Sequence, residues 1–276
     1  MYSYDPPSPQ YYWPTYFPVY RDEQTEVYRE RQQPLTFVLV HGSWADASFW
    51  DGVAAELRKQ GHTVYVPEYP GHGADTNKNV SHQEIDDAVA KYIISRNLNN
   101  IILVGHSFGG SVVQKVAEQV SDRLKRIVFI DGFVLEDGQS LGDQFPPASQ
   151  QAFKKLIEAS GNNTLMLPYP IFRDTFVNLA DSNLAKYLYS TITPEPAKPL
   201  FEKLDLKKFY SLQVPKSYVY LTEDNVLPQG EGYGWHPHMS NRLGLFRLIK
   251  EHGDHMTTFK TDPKTIALRL YQAARD

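Results

Sequence analysis

The chain has 276 residues, a formal net charge of -4 from 28 basic and 32 acidic side chains, and no cysteine. Its length suits one large α/β domain with an inserted segment better than two independent domains. Hydrophobic residues make up 41% of the chain, which is enough for a packed core and excludes wholesale disorder. Without cysteine there is no disulfide, no thiolate nucleophile and no cysteine-ligated metal site.

Charge and hydropathy also limit the partners. The scattered basic residues give no electrostatic footprint for nucleic acid, and the apolar runs are strand-sized, too short to cross a bilayer. No secretory signal pattern is present. We therefore expect a cytoplasmic protein with neither nucleic acid nor a membrane as partner. The sequence leaves the oligomeric state open, and a homodimer is one possibility.

Residues 1–33 differ in composition from the rest of the chain, with seven tyrosines and five prolines. The prolines disfavour regular hydrogen-bonded structure, and the aromatic residues fit neither a helical nor a strand period. Two interpretations stay open. The segment is either an extended leader or an adhesive arm that lies on its own domain or a neighbour, since tyrosine offers much contact area at small entropic cost.

From residue 34 onward, apolar runs and helical periods alternate, which indicates βαβ units and a parallel sheet. Predicted strands cover residues 35–40, 63–66, 101–104 and 126–130, and predicted helices cover about 49–57, 82–93 and 110–120. A proline-rich stretch with helices at 150–159 and 173–188 follows, and the alternation resumes with strands at 217–221 and 243–249 and a closing helix at 263–274.

We therefore expect an α/β fold, with a mostly parallel sheet flanked by helices and an inserted helical cap. The core comprises residues 34–132 and 213–276, and the cap comprises residues 133–212. Because ligands bind at the carboxyl edge of open α/β sheets, the cap should cover that edge.

The motif Gly105-His106-Ser107-Phe108-Gly109 has the form G-x-S-x-G and stands between a buried strand and a helix. In that context the serine occupies a tight strand-to-helix turn that exposes its hydroxyl group. Ser107 is therefore the candidate nucleophile. The backbone N–H of Phe108 and that of Ser43, in the loop after the first core strand, are the candidate donors to an oxyanion.

A serine nucleophile needs a histidine base and an acid that orients the base. His255 follows the last strand and is the best candidate for the base, with His252 as runner-up. Asp224 follows the penultimate strand and is the best candidate for the acid, which gives the chain order Ser, Asp, His of α/β-hydrolases. Asp131 and Glu223 remain alternatives for the acid.

Several segments between residues 35 and 276 together resemble a known family. They are residues 37–44 (FVLVHGSW), 70–73 (PGHG), 105–110 (GHSFGG), 131–134 (DGFV), 222–224 (TED) and 253–256 (GDHM). The pattern is similar to the α/β-hydrolase superfamily, and within it to plant methylesterases of the salicylate-binding-protein type and hydroxynitrile lyases, with their bacterial esterase relatives. The resemblance implies an α/β-hydrolase fold, a triad of Ser107, His255 and Asp224, and no cofactor or metal.

The expected function is cleavage of a small, largely uncharged carboxylic ester or lactone through an acyl-serine intermediate. The alternatives are a cyanohydrin-type C–C lyase on the same scaffold and a non-catalytic protein that binds a small ligand. In the lyase branch, a lysine follows the histidine and a threonine lies in the oxyanion loop, whereas this chain has Met256 and Gly42. We expect Gly42, Trp44 and Met256 to contact the substrate.

Overall fold

Strands and helices alternate along the chain in a computed structural model, which describes residues 33–230 and 232–276. The strands are β1 (Thr36–Val40), β2 (Thr63–Tyr65), β3 (Ile101–His106), β4 (Leu124–Ile130), β5 (Thr164–Leu165), β6 (Glu195–Pro196), β7 (Lys216–Leu221) and β8 (Phe246–Glu251). The helices are α1 (Asp51–Lys59), α2 (His82–Ser95), α3 (Gly109–Val120), α4 (Pro147–Ser160), α5 (Tyr169–Thr175), α6 (Ser182–Thr191), α7 (Ala197–Phe201), α8 (Lys207–Ser211), α9 (Thr257–Thr261) and α10 (Pro263–Ala274). The two interpretations of the tyrosine- and proline-rich segment concern residues 1–32, which lie outside the described part.

The central sheet has six strands in the order β2-β1-β3-β4-β7-β8, and every pairing in it is parallel. The chain leaves β1 toward β2 and then crosses to β3 on the other side of β1, so the strand order reverses there. Such a switch point opens a crevice beyond the carboxyl ends of the strands. The predicted fold class is therefore confirmed.

Both faces of the sheet are buried, as the continuous apolar strands predicted. In β1, Val38 and Val40 face one hydrophobic cluster, which includes residues of α2, α3 and the segment between β4 and β7. Phe37 and Leu39 face the other cluster, which includes residues of α1 and α10. No helix in the described part of the chain is both long and apolar enough to span a membrane.

The helix predicted at residues 173–188 is wrong, because the chain forms α5 and α6 with a break between them. Asp181 caps α6 by accepting hydrogen bonds from the first-turn N–H groups of Asn183 and Leu184. The N–H of Leu179, inside the break, donates instead to Asp254 at 2.8 Å. A tertiary hydrogen bond thus replaces helix continuation at this point, beside the loop that carries His255.

The strand predicted at residues 243–249 begins later than expected, at Phe246. A short helical turn, Ser240–Leu243, precedes it and ends at Gly244, whose φ is +70°. Glycine adopts this left-handed conformation without steric cost, so it ends the turn and redirects the chain into β8. The apolar side chain of Leu243 belongs to the core although its backbone is not in the sheet.

Gly105 near the end of β3 tests how tightly the strand-to-helix turn is packed. An alanine Cβ at this position would lie 2.4 Å from the carbonyl oxygen of Gly109. We expect Gly105→Ala to lower the free energy of unfolding by about 3 kcal/mol or more, because backbone would have to move. The measurement is the midpoint of urea unfolding.

The matched control is Gly61→Ala, where an added Cβ meets nothing within 4 Å but φ is +88°. That substitution should cost only the backbone strain, about 1–2 kcal/mol. Equal losses for the two variants would show that the close approach at Gly105 does not matter.

Candidate active site

Ser107 lies on the turn that joins β3 to α3 and has a φ of +54°. A residue with a side chain adopts this conformation at a cost of about 1–3 kcal/mol, and such strain is typical of functional positions. The loop after β1 packs directly against it, since a Cβ at Gly42 would lie 2.6 Å from the Cβ of Ser107. Only glycine lets the predicted oxyanion loop approach the serine this closely.

His255 and Asp224 are brought together from the loops after β8 and β7. Nδ1 of His255 lies 2.5 Å from Oδ2 of Asp224, and both side chains are buried. The other oxygen of Asp224 accepts the N–H of Val226 at 2.8 Å. Because Nδ1 donates to the carboxylate, Nε2 is the lone-pair nitrogen of the neutral ring, and it has no hydrogen-bond partner among the described residues.

Three rings hold the imidazole of His255 in place. Trp235 stacks on it with centroids 5.8 Å apart, Phe176 meets it edge-on at 5.0 Å, and His106 lies 4.5 Å away. Nε2 of His106 donates to the carbonyl oxygen of His255 at 3.0 Å. Burial lowers the pKa of His106 well below its ordinary value, so His106 is a neutral support that adds no charge to the site.

His106 and Trp235 were not among the residues predicted for the site. His106 stands within the G-x-S-x-G motif, where the sequence gives no reason to separate it from a simple spacer. Trp235 lies far from His255 along the chain, so the sequence does not indicate that the two rings stack. Only the fold shows that both support the imidazole.

The predicted oxyanion donors lie where the first turn of α3 meets the loop after β1. The backbone N–H groups of Ser43 and Phe108 donate to no acceptor within residues 33–230 and 232–276. Ser43 also lines the same cavity as Ser107. Unpaired N–H groups beside a nucleophile are what an oxyanion hole requires, so the geometry is compatible with the predicted roles.

The three carboxyl groups considered for the acid have different surroundings. Asp131 is fully buried and accepts the N–H of Leu221 at 3.1 Å, without contacting His255. Glu223 is partly exposed and lies 3.5 Å from the exposed His252. Asp224 is therefore the carboxyl group that the structure joins to the imidazole, and its catalytic role stays a prediction.

Two cavities lie near these residues. The first, about 20 Å³, contains Ser107 and is closed by side chains from the loops and helices between β4 and β7. Its lining residues are Ser43, Trp44, Ser107, Phe133, Leu141, Gly142, Phe145, Phe153, Leu165, Phe176, Leu200, Phe201 and Val226. The second, about 330 Å³, lies between the loop before α1, α6 and α9, and Met256 faces it. The structure thus places Trp44 beside Ser107, and Met256 on the second cavity.

Comparison with known proteins identifies the family. Residues 37–267 match the model of the alpha/beta hydrolase family. The chain belongs to this family. A solved structure described as an extracellular alpha/beta-hydrolase from a Paenibacillus species, with structural and functional homology to tobacco salicylic acid binding protein 2, is 61% identical. It superimposes with a TM-score of 0.87 and covers 88% of this chain and all of that one.

Two curated relatives of this α/β-hydrolase are named as esterases. A carbendazim-hydrolysing esterase from Nocardioides is 38% identical over 115 residues, which are 41% of this chain and 48% of that protein. Putative methylesterase 13 of Arabidopsis thaliana is 28% identical over 223 residues, which are 72% of this chain and 48% of that protein. The matches thus span about half the length of these relatives. The predicted resemblance to methylesterases and bacterial esterases is confirmed.

Glu195 connects the segment between β4 and β7 to the oxyanion loop of the hydrolase, a contact that the sequence did not suggest. Its Oε2 accepts the N–H of Trp44 at 2.6 Å and lies 3.0 Å from Nε2 of His72. All of these groups are buried. Trp44 has a φ of +61°, so a buried hydrogen bond holds the strained residue that follows Ser43.

The contacts between Glu195 and His72 favour the charged form of each group inside the protein. Burial opposes protonation of His72, but the charge and hydrogen bond of Glu195 outweigh it and raise the pKa of His72. Burial likewise opposes ionisation of Glu195, but the charge and hydrogen bond of His72 lower the pKa of Glu195. The stabilisation from His72 is complete below its unfolded pKa of about 6.5 and is lost as pH rises through the raised folded value.

We expect Glu195→Gln to lower the free energy of unfolding by about 3 kcal/mol at pH 6, because one partner of a buried ion pair is removed. The loss should be smaller at pH 9 than at pH 6, because a smaller fraction of His72 carries its proton at the higher pH. Thermal unfolding at both pH values measures this. Glu158→Gln on the exposed face of α4 is the control, and a loss for Glu195→Gln that grows with pH would contradict the charged pair.

Proposed function

We propose that the protein is a carboxylic ester hydrolase that works through an acyl-serine intermediate. The observation that carries the proposal is the buried His255–Asp224 hydrogen bond of 2.5 Å. His106, the residue before the strained Ser107, connects this pair to the turn through its hydrogen bond to the carbonyl oxygen of His255. The esterase and methylesterase names of the curated relatives support the same activity.

The proposed reaction has two steps of the same kind. The hydroxyl oxygen of Ser107 attacks the ester carbonyl carbon while Nε2 of His255 takes the hydroxyl proton. The tetrahedral intermediate then collapses, the C–O bond to the alcohol breaks, and His255 gives its proton to the leaving oxygen. In the second step water replaces Ser107 as nucleophile, releases the carboxylic acid and restores the serine.

The predicted oxyanion donors act in both steps. The negative charge of each tetrahedral intermediate falls on the former carbonyl oxygen. The N–H groups of Ser43 and Phe108 would donate to that oxygen, and losing one such donor typically costs about 3 kcal/mol of transition-state stabilisation. The Glu195 contact to Trp44 supports this step by fixing the loop that carries Ser43.

The cavity around Ser107 supports a small, largely uncharged substrate. None of the described side chains that line it is charged, and eight of them are phenylalanine or leucine residues from the segment between β4 and β7. A charged acyl group would lose its hydration there without gaining an ion pair. Because about 20 Å³ holds little more than one water molecule, we propose that side chains of the predicted cap move when the ester binds.

The cytoplasmic location expected from the sequence stays a prediction. The Paenibacillus hydrolase that is 61% identical is described as extracellular. We propose secretion as the alternative, which fractionation of cells and culture medium from the source organism would decide.

We expect Ser107→Ala to fold normally and to lower kcat/KM for p-nitrophenyl acetate by about 10⁴-fold or more, since a triad acts as a unit. Steady-state kinetics at pH 8, with circular dichroism as the check on folding, measures the effect. The control is Ser95→Ala, which removes an exposed hydroxyl group at the end of α2 and should leave kcat/KM within about twofold.

A Ser107→Ala variant that keeps more than a tenth of the wild-type activity would contradict the proposal. So would rapid, Ser107-dependent release of cyanide from mandelonitrile without any ester turnover, which is the result expected of a cyanohydrin lyase. Met256, next to the base, offers no positive charge to a departing cyanide.

A further inference from the structure

Two buried carboxyl groups lie side by side at the ends of neighbouring strands. Asp131 follows β4, and Asp224 lies just beyond β7. Their exposed fractions are 0% and 1%. Both lie around Leu221, whose N–H donates to the carboxyl group of Asp131 at 3.1 Å and whose carbonyl oxygen accepts the N–H of Asp224 at 3.2 Å. A hydrogen bond between two carboxyl groups requires a proton on one of them.

The surroundings decide which group carries the proton. Asp224 faces the imidazole of His255, which becomes positive during the proposed reaction and is stabilised by a negative charge at this position. Asp131 forms no ion pair within the described residues. The titratable groups that surround the two carboxyl groups are Tyr218, Tyr220 and His255. Beyond them, Arg242 acts on Tyr218 and Glu223 acts on Tyr220, and no lysine or arginine of the described residues pairs with Asp131.

Burial and the adjacent charge of Asp224 both favour the neutral form of Asp131. Each raises the pKa of Asp131, which lies well above its ordinary value. Where two carboxyl groups are buried next to each other, the charge of one disfavours ionisation of the other. The effect of burial and of the neighbouring charge on Asp131 does not depend on which substrate the site binds.

We propose that Asp131 is a neutral carboxylic acid that donates its O–H hydrogen bond to Asp224 and so positions the acid of the triad. Its carbonyl oxygen accepts the N–H of Leu221, which fixes the orientation of the group. Asp224 has acceptor sites for all three donors, since a carboxylate offers about four. The inference rests on the proposed function, because it assigns a positioning role within that site.

The hydrogen bond has two consequences for His255. It holds the carboxylate in the rotamer in which Oδ2 faces Nδ1, and it withdraws part of the negative charge of Asp224. An ionised Asp131 would do the opposite, because a second negative charge would favour the imidazolium form. Replacing Asp131 should therefore move the acid limb of the pH–rate profile to higher pH if Asp131 is neutral, and to lower pH if Asp131 is ionised.

The experiment compares Asp131→Asn with Asp131→Leu. Asparagine is neutral, can donate to Asp224 and can accept from Leu221, whereas leucine has a similar size and does neither. We expect Asp131→Leu to lower kcat by about 10–100-fold with little change in KM, and Asp131→Asn to restore kcat to within about threefold of the wild type. The acid limb of kcat/KM should move to higher pH in Asp131→Leu and stay near the wild type in Asp131→Asn.

Asp224→Asn is the comparison, with an expected loss of about 10⁴-fold in kcat because the wrong tautomer of His255 results. A collapse of Asp131→Asn to the level of Asp224→Asn, with an acid limb at lower pH, would overturn the inference and make Asp131 an ionised acid. Wild-type kinetics in both variants, with an unchanged pH profile, would also overturn it. In either case the proposed function stands if wild-type ester turnover depends on Ser107.

A stability measurement tests the proton without any activity. A carboxyl group that is neutral in the folded chain and ionised in the unfolded chain destabilises the fold as pH rises above the ordinary pKa of aspartate. Asparagine has no such dependence, so the Tm of Asp131→Asn relative to the wild type should increase from pH 5 to pH 8. A relative Tm that decreases over this range would show that Asp131 is ionised in the fold.

Discussion

The hydrogen bond between Nδ1 of His255 and Asp224 is the interaction on which the rest of the site depends. It commits one ring nitrogen to donation and leaves the other available as a base. The stacked Trp235 and the edge of Phe176 then allow the ring little freedom to turn. Without that pairing, Ser107 would be an ordinary serine on a strained turn.

Burying this pair imposes a constraint on its neighbours. A second negative charge next to a buried carboxylate is unfavourable, so the groups beside Asp224 and His255 are expected to be neutral. His106 is neutral because it is buried, and we propose the same for Asp131. The Glu195–His72 pair instead holds the loop after β1 through the N–H of Trp44.

The sequence predicts the fold well where one local signal decides the structure. Strands buried on both faces appear as unbroken apolar runs, and α10 begins at Pro263 and ends at Ala274 as predicted, with Asp262 as its cap. The loops after parallel strands must reach the same edge of the sheet, so the strand ends alone indicated that Ser107 and His255 share a site. The role of the glycines around Ser107 was equally predictable from the sequence, since each lies where an added Cβ would collide with a neighbouring part of the chain.

The rest depends on contacts between distant parts of the chain. Glu195 meets Trp44 across 151 residues, and no pattern of residues near either one indicates the pairing. The break between α5 and α6 follows from the hydrogen bond of Leu179 to Asp254, which local helical propensity cannot reveal. The choice of acid stayed open because β4 and β7 are neighbours, and each presents a carboxyl group at the same edge. Only the side-chain geometry separates Asp224 from Asp131.

We propose that His255 activates Ser107 as a nucleophile. The most direct measurement is labelling of the full chain with a fluorophosphonate, followed by mass spectrometry of the intact protein and its peptides. We expect one adduct per chain, on Ser107, formed at least about a hundredfold faster than in the His255→Ala variant. An unlabelled Ser107 in a folded wild-type protein, or equal labelling in the absence of His255, would contradict it.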